Sequence, residues 1–361
     1  MRNRYLVLLI LGCLVAAGAF LPLALNVERD ETKGIEGMPP RNERRSRRES
    51  LEPLRETIGS PAALRNPPWI LFGAYDSGLP NDMSGFVELE NRLRFRFPIV
   101  SFYNSWGDKV DQQFPFRALD TIDRIGSIPM ITWEPFVKEF GSPVRNLPPR
   151  EEREYATLAA IARGDYDFYV IPWAEAAADF RKPLFLRFAH AMNDPYRYPW
   201  GPQSGNRPHD FVAAWRRVHD TFEKNGATNV IWVWSPNVSM PWIEEYYPGD
   251  DYVDWIGVGV LNYGSIARWS RWWSLSQILE KPYATLSKIR KPMMICELGT
   301  LTAGGDILEW YKDAFRDIDR RYHRVRGIVL FNERRDRNWS VMQDPETSEF
   351  IALQLLRLAP M

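Results

Sequence analysis

From Trp69 onward the chain alternates short apolar segments, rich in β-branched and aromatic residues, with longer amphipathic or charged stretches. That alternation is the pattern of a parallel α/β protein. Eight segments read as strands: Trp69–Tyr75, Ile99–Tyr103, Pro129–Glu134, Leu184–His190, Val230–Trp234, Trp255–Val260, Met293–Glu297 and Gly327–Phe331. Helix-like stretches lie between them, among them Glu151–Arg163, Asp210–Asn225 and Asp306–Tyr322. Eight such units over residues 67–361 predict a (β/α)8 TIM barrel, somewhat longer than the usual ~250 residues. An open doubly wound sheet is the competing architecture, but no strand is followed by GxGxxG or GxxxxGK[S/T].

The chain before the barrel has two different textures. Tyr5–Leu25 is an almost unbroken apolar run with Arg2 and Arg4 ahead of it and acidic residues behind it. It is about as long as a membrane-spanning helix, so residues 1–27 are expected to form a signal anchor or transmembrane helix that leaves the barrel outside the cytoplasm. Secretion after cleavage near Ala17-Gly18-Ala19 is the second reading. Residues 28–66 interleave Arg41, Arg44, Arg45, Arg47 and Arg48 with Glu, Pro and Ser, and offer little to bury. They are expected to be a disordered charged linker.

Polar residues gather where the predicted strands end. Glu134 closes the third, and His190, Asn193 and Asp194 follow the fourth. Asn237 follows the fifth, Asn262 and Tyr263 the sixth, Glu297 closes the seventh, and Asn332 and Glu333 follow the eighth. In a barrel these ends form one face, where catalytic groups converge. Arg187 sits two residues before Ala189 on the inward side of the fourth strand and could hold Glu297 ionised.

Composition narrows the chemistry. A 45% hydrophobic chain can fill a large core, and 46 Lys and Arg against 46 Asp and Glu create no overall field for nucleic acid. Two cysteines exclude a disulfide framework, and four histidines without ligand spacing lead us to expect no intrinsic metal and no cofactor. Fifteen tryptophans are the unusual feature, serving either packing or platforms for sugar rings. Trp133, Trp200, Trp234, Trp242 and Tyr263 fall at or beyond strand ends, where they could stack on sugars.

The segments PMITWEP, LRFAHAMNDPYRYPWG, NVIWVWSPN, YYPGDDYVDWIGVGVLNYG, KPMMICELGT and GIVLFNER are similar, in order and spacing, to those of glycoside hydrolase family 26, the β-mannanase and β-glucanase group. The resemblance implies a retaining glycosidase built on two glutamates, one after strand four and one at the end of strand seven, acting on a β-linked polysaccharide. Glu297 matches the nucleophile, and His190 matches a histidine that binds a sugar hydroxyl. Arg187, Asn193, Glu134, Trp133, Trp200, Trp234, Asn262 and Tyr263 are the accompanying substrate-binding candidates. The acid is missing: the family pattern His-Glu-Met-Asn reads His190-Ala191-Met192-Asn193 here. Asp194, Glu134 and more remotely Asp76 are the available substitutes, or the chain has no acid and is a glycan-binding pseudoenzyme of polysaccharide assembly or export. The family's strand-six tyrosine beside the nucleophile also lacks a sure counterpart, Leu261 and Tyr263 being the two alignments. The balanced charge fits a neutral polysaccharide, and the partners foreseen are that polymer and the membrane, with protein partners left open.

Overall fold

The computed structural model describes residues 34–141, 147–266, 268, 270–335 and 337–360. The expected membrane segment, 1–27, lies outside them, and no helix among the described residues is long and apolar enough to cross a membrane. Eight parallel strands close into a barrel in chain order: β1 (Leu71–Asp76), β2 (Ile99–Ser105), β3 (Ile128–Glu134), β4 (Leu184–Phe188), β5 (Val230–Trp234), β6 (Trp255–Asn262), β7 (Met293–Thr300) and β8 (Val325–Asn332). The (β/α)8 architecture read from the sequence is therefore the fold.

Strand bounds differ from the expected ones where the backbone departs from the apolar pattern. β4 stops at Phe188, two residues early, because Ala189 turns to a left-handed φ of 45°. β6 and β7 run on to Asn262 and Thr300, because polar residues at the barrel mouth still pair with one another.

The helices cover the outside of the sheet. Pro208–Lys224 starts on a proline, whose missing N–H costs nothing in a first turn. It buries Phe211, Ala214, Trp215, Val218 and Phe222, the spacing of one helical face. Ile307–Arg321 is capped by the Asp306 carboxylate, which accepts from the Glu309 N–H at 3.0 Å. The expected helix Glu151–Arg163 is helical only over Thr157–Arg163, after a series of turns.

Inside the barrel a second core is built from inward residues of the strands' first halves, including Leu71, Ile99, Ile128, Phe185, Ile231 and Trp255. Leu51, Leu54 and Leu64 join that cluster from below. This corrects the expectation of a disordered linker over 28–66 as far as the described residues reach. Arg41–Ser50 is a helix, and short turns Glu52–Leu54, Arg55–Ile58 and Pro61–Leu64 follow. Its few apolar residues suffice because they cap an existing core, and its charges find fixed partners. Buried Arg47 pairs with buried Glu90 (Nε–Oε2 2.9 Å) and donates to the carbonyls of Ile125 and Phe97. Arg65 binds Asp254 at 2.9 Å, and the Trp255 indole donates to the Leu64 carbonyl at 2.8 Å. The N-terminal mouth of the barrel is thus closed by the segment preceding β1, leaving the C-terminal mouth as the open face.

Candidate active site

Within the strands, burial is nearly complete except toward the C-terminal ends, where residues including Tyr75, Tyr103, Glu134, Leu261, Glu297 and Phe331 are only partly buried. All six face the barrel mouth. Tyr75 stacks on Phe331 (centroids 4.9 Å apart) and meets Tyr103 edge-on at 5.2 Å, which makes an aromatic floor on one side of Glu297.

Glu297 reaches this cleft because β7 is irregular. Opposite β6 the pairing passes from Val258↔Ile295 to Gly259↔Glu297, skipping Cys296. Strict alternation would send Cys296 and Glu297 to opposite faces, yet the Cys296 side chain joins the barrel interior while Glu297 also points inward. The extra residue is a β-bulge, a device that re-aims a side chain. Strand six makes room with glycines: a Cβ on Gly257 would lie 2.8 Å from the Cys296 sulfur, and one on Gly259 3.0 Å from Glu297 Oε2.

The Glu297 carboxylate is held from two sides. Arg187, buried on β4, donates from Nη2 to Oε1 at 2.6 Å and to the Tyr103 hydroxyl at 3.2 Å, and its Nε donates to Thr132 Oγ1 at 2.9 Å. The Tyr103 hydroxyl donates to the same Oε1. Burial by itself would push the Glu297 carboxyl up, but the Arg187 charge and the two hydrogen bonds outweigh it and bring it down to about 2. Glu297 is an anion at neutral pH, with Oε2 lying over Gly259. The expectation that Arg187 ionises Glu297 matches this geometry. Tyr103, which the sequence reading did not single out, supplies from strand two the phenol that was sought on strand six. Its signal was present in the alternation of IVSFYNS, which places Ser101, Tyr103 and Ser105 on the inward side with Ile99.

Glu134 stands on β3, next to β4, with Ser105 Oγ 3.4 Å from its Oε2. Burial raises its carboxyl to about 7, with the neighbouring Glu297 charge adding to the rise and Arg187 opposing it. The two carboxyls are therefore driven apart, one anionic and one protonated over most of the range below neutrality.

Residues 189–201 form the other wall. Ala189 and Ala191 both have left-handed backbones (φ 45° and 51°), and the Ala191 N–H donates to the Ser235 carbonyl at 2.7 Å. His190 shares a hydrogen bond of 2.9 Å between Nε2 and the Tyr198 hydroxyl. Burial, reinforced by the Arg187 charge, lowers it to about 3, so it is a neutral imidazole. Tyr198 lies flat on Trp200 (4.6 Å, 11°), whose indole donates to the His190 carbonyl at 2.8 Å.

Several expected site residues have other work. Asp194 is buried, with Oδ1 accepting from the Tyr196 N–H and Oδ2 from the Asn237 amide, both at 2.8 Å. Asn193 exchanges two hydrogen bonds with the Asn237 backbone. These two residues clamp the β4 loop to the β5 loop, which removes Asp194 from the candidates for the acid. Asn262 is fully buried, giving its amide to Thr300 and accepting from the N–H groups of Gly264 and Trp273. Asp76 is likewise buried against Asn332 and Gly78. Trp133 and Trp234 are fully buried and point outward from the sheet, Trp133 against Trp173 (4.6 Å) and Tyr169, and Trp234 against Tyr247. Trp200 is also buried, as the support of Tyr198. As sugar platforms these three tryptophans are corrected: strand parity turns the first two into the helix layer, and a covering ring hides the third. Tyr263 stays half-exposed at the mouth, edge-on to Trp339 at 5.0 Å.

The barrel mouth thus brings together Glu297, whose carboxyl is held ionised, and Glu134, whose carboxyl burial pushes up to about 7. The sequence model described as glycosyl hydrolase family 26 matches residues 164–328, a span that contains Arg187, Ala191 and Glu297. The chain is 30% identical over 293 residues to Endoglucanase H of Acetivibrio thermocellus, a match covering 76% of this chain and 30% of that protein. It is 24% identical over 157 residues to "Mannan endo-1,4-beta-mannosidase A and B" of Caldalkalibacillus mannanilyticus, covering 42% of this chain and 28% of that one. The chain thus spans under a third of the length of these curated relatives. Among solved structures, the Bacillus subtilis mannanase man26 superposes with a TM-score of 0.57 at 17% identity, over 88% of this chain and 93% of that one, a likeness of fold.

Proposed function

We propose that the barrel is a retaining glycoside hydrolase acting on a β-linked polysaccharide, a β-mannan or β-glucan, with Glu297 as nucleophile and Glu134 as the acid in place of the missing residue at 191. The observation that carries this reading is Glu297 itself, an anion at the C-terminal mouth of the barrel, with Oε1 held by Arg187 and Tyr103. In the first step Oε2 attacks the anomeric carbon, the glycosidic C–O bond breaks, and the Glu134 proton passes to the departing oxygen. Water then attacks the glycosyl ester and returns a proton to Glu134, restoring both groups. The relatives named for endoglucanase and mannosidase activity support the substrate class. The apolar run at residues 5–25 supports a membrane-anchored barrel outside the cytoplasm, with secretion after cleavage as the other outcome.

The alanine at 191 favours one second reading, a pseudoenzyme that binds glycan without turnover in polysaccharide assembly or export. An activity screen separates the two, with wild type, Glu297→Ala and Ala191→Glu assayed on mannan, mixed-linkage glucan and cellulose-type polymers. Turnover by wild type that Glu297→Ala abolishes supports the hydrolase. Turnover only by Ala191→Glu, with a gain of about 10²–10⁴ from a restored acid, supports the silent binder. The introduced side chain would start from a backbone that already carries a Cβ at φ 51°, so it brings no new strain.

A further inference from the structure

The β4 loop suspends a second arginine over the cleft. Arg197 is exposed, its guanidinium carbon 5.6 Å from the centre of the Tyr198 ring, and it lies beside the Tyr263 hydroxyl on the β6 loop. It is close enough to Glu297, Glu134 and His190 to influence all three electrostatically. Among the described residues its side-chain partners are two phenols, Tyr198 and Tyr263. The other cleft cation, Arg187, is fully engaged by Glu297, Tyr103 and Thr132. Glu297 and Arg187 cancel, His190 is neutral, and Glu134 is protonated below neutrality. Glu333, bonded to the Tyr75 hydroxyl at 2.9 Å, is a further carboxylate of this mouth, but no carboxylate among the described residues makes an ion pair with Arg197. The overall neutrality of the chain does not describe the cleft.

We propose that Arg197 receives a carboxylate carried by the polymer, so that the preferred substrate is a β-linked chain containing uronate residues. The inference rests on the reading of the cleft as a glycan site. A guanidinium presents a planar fork of N–H donors that matches a carboxylate in two parallel hydrogen bonds. A sugar ring laid over Arg197, Tyr198 and Tyr263 would exclude water from a charge pair made there, which strengthens it. A wholly neutral glycan would cover this cation without compensating it, at a cost.

The test uses paired ligands that differ only at C6: β-1,4-linked hexamers of mannuronate against mannose, and of glucuronate against glucose. Binding is measured by calorimetric titration at pH 6 for wild type, Arg197→Gln and Arg197→Lys, with melting curves to confirm folding. Wild type should bind each uronate hexamer about tenfold tighter than its neutral partner, as one charge-assisted pair allows. The gap should narrow with added salt, vanish in Arg197→Gln and persist in part in Arg197→Lys. Equal or weaker binding of the uronates by wild type, or a preference that survives Arg197→Gln, overturns the proposal. Neutral hexamers binding without any uronate preference refute it and leave the glycan reading standing, whereas no binding of any hexamer refutes both.

Discussion

In the proposed reaction two carboxyls with opposite displacements carry the chemistry, and each makes its own pH prediction. Glu134, raised to about 7, can donate a proton only below that value. Turnover of unactivated polymer should therefore fall as pH rises through about 7. Glu134→Gln should lose about 10²–10⁴ of the rate and show no alkaline limb, and a limb that persists in the variant would assign the proton elsewhere. Glu297 responds at the other end. Tyr103→Phe removes one of the two hydrogen bonds on Oε1 and should raise the Glu297 carboxyl, moving the acid limb of the pH–rate profile upward with a loss of about tenfold or more. The two groups also act oppositely on stability. Glu297, depressed in the fold, contributes stability above its ordinary 4.5 that is lost as pH falls through about 2. Glu134, raised in the fold, contributes stability below 4.5 that is lost as pH rises through about 7. Residue identities in this pair were legible in the sequence, since both glutamates close apolar strands. Their division of labour was not, because it depends on which inward neighbour, Arg187 or Ser105, each one meets.

At the scale of elements, strand parity explains both the successes and the failures of the sequence reading. Period-two alternation correctly turns Arg187 inward, and it also turns Trp133 and Trp234 outward, so a tryptophan at a strand end is no platform unless its parity is right. The β7 bulge is the exception: two successive residues point inward, and no alternation rule foretells it. Gly259→Ala tests that arrangement, because its new Cβ would press on Glu297 Oε2 from 3.0 Å. The variant should fold with little change in melting temperature and lose most activity, whereas unchanged activity would show that Glu297 has other room. The segment ahead of β1 departs from its composition for a different reason. Its composition is that of a disordered tether, but three leucines and Arg47 dock on a barrel end that exists only in the fold. A chain beginning at residue 67 should melt well below one beginning at residue 35, and Arg47→Ala should cost about 3–5 kcal/mol in denaturant titration by stranding Glu90. Equal stability of the two truncated chains would remove the segment from the domain.

For the molecule as a whole, the eight-stranded barrel followed from repetition: eight similar units leave few ways to bury one sheet. The excess of tryptophan is largely structural, filling the layer between strands and helices, while tyrosines (Tyr75, Tyr103, Tyr198 and Tyr263) line the open mouth. With one end of the barrel plugged, the proposed reaction converges on Glu297 at the other. The most direct measurement is covalent trapping, using activated aryl 2-deoxy-2-fluoro-β-mannosides and glucosides whose leaving group needs no proton, followed by peptide mass spectrometry. Our account predicts a glycosyl ester on the peptide containing Glu297, formed by wild type and by Glu134→Gln and absent from Glu297→Gln. Absence of any adduct in wild type with both reagents, or an adduct on another residue, would contradict it.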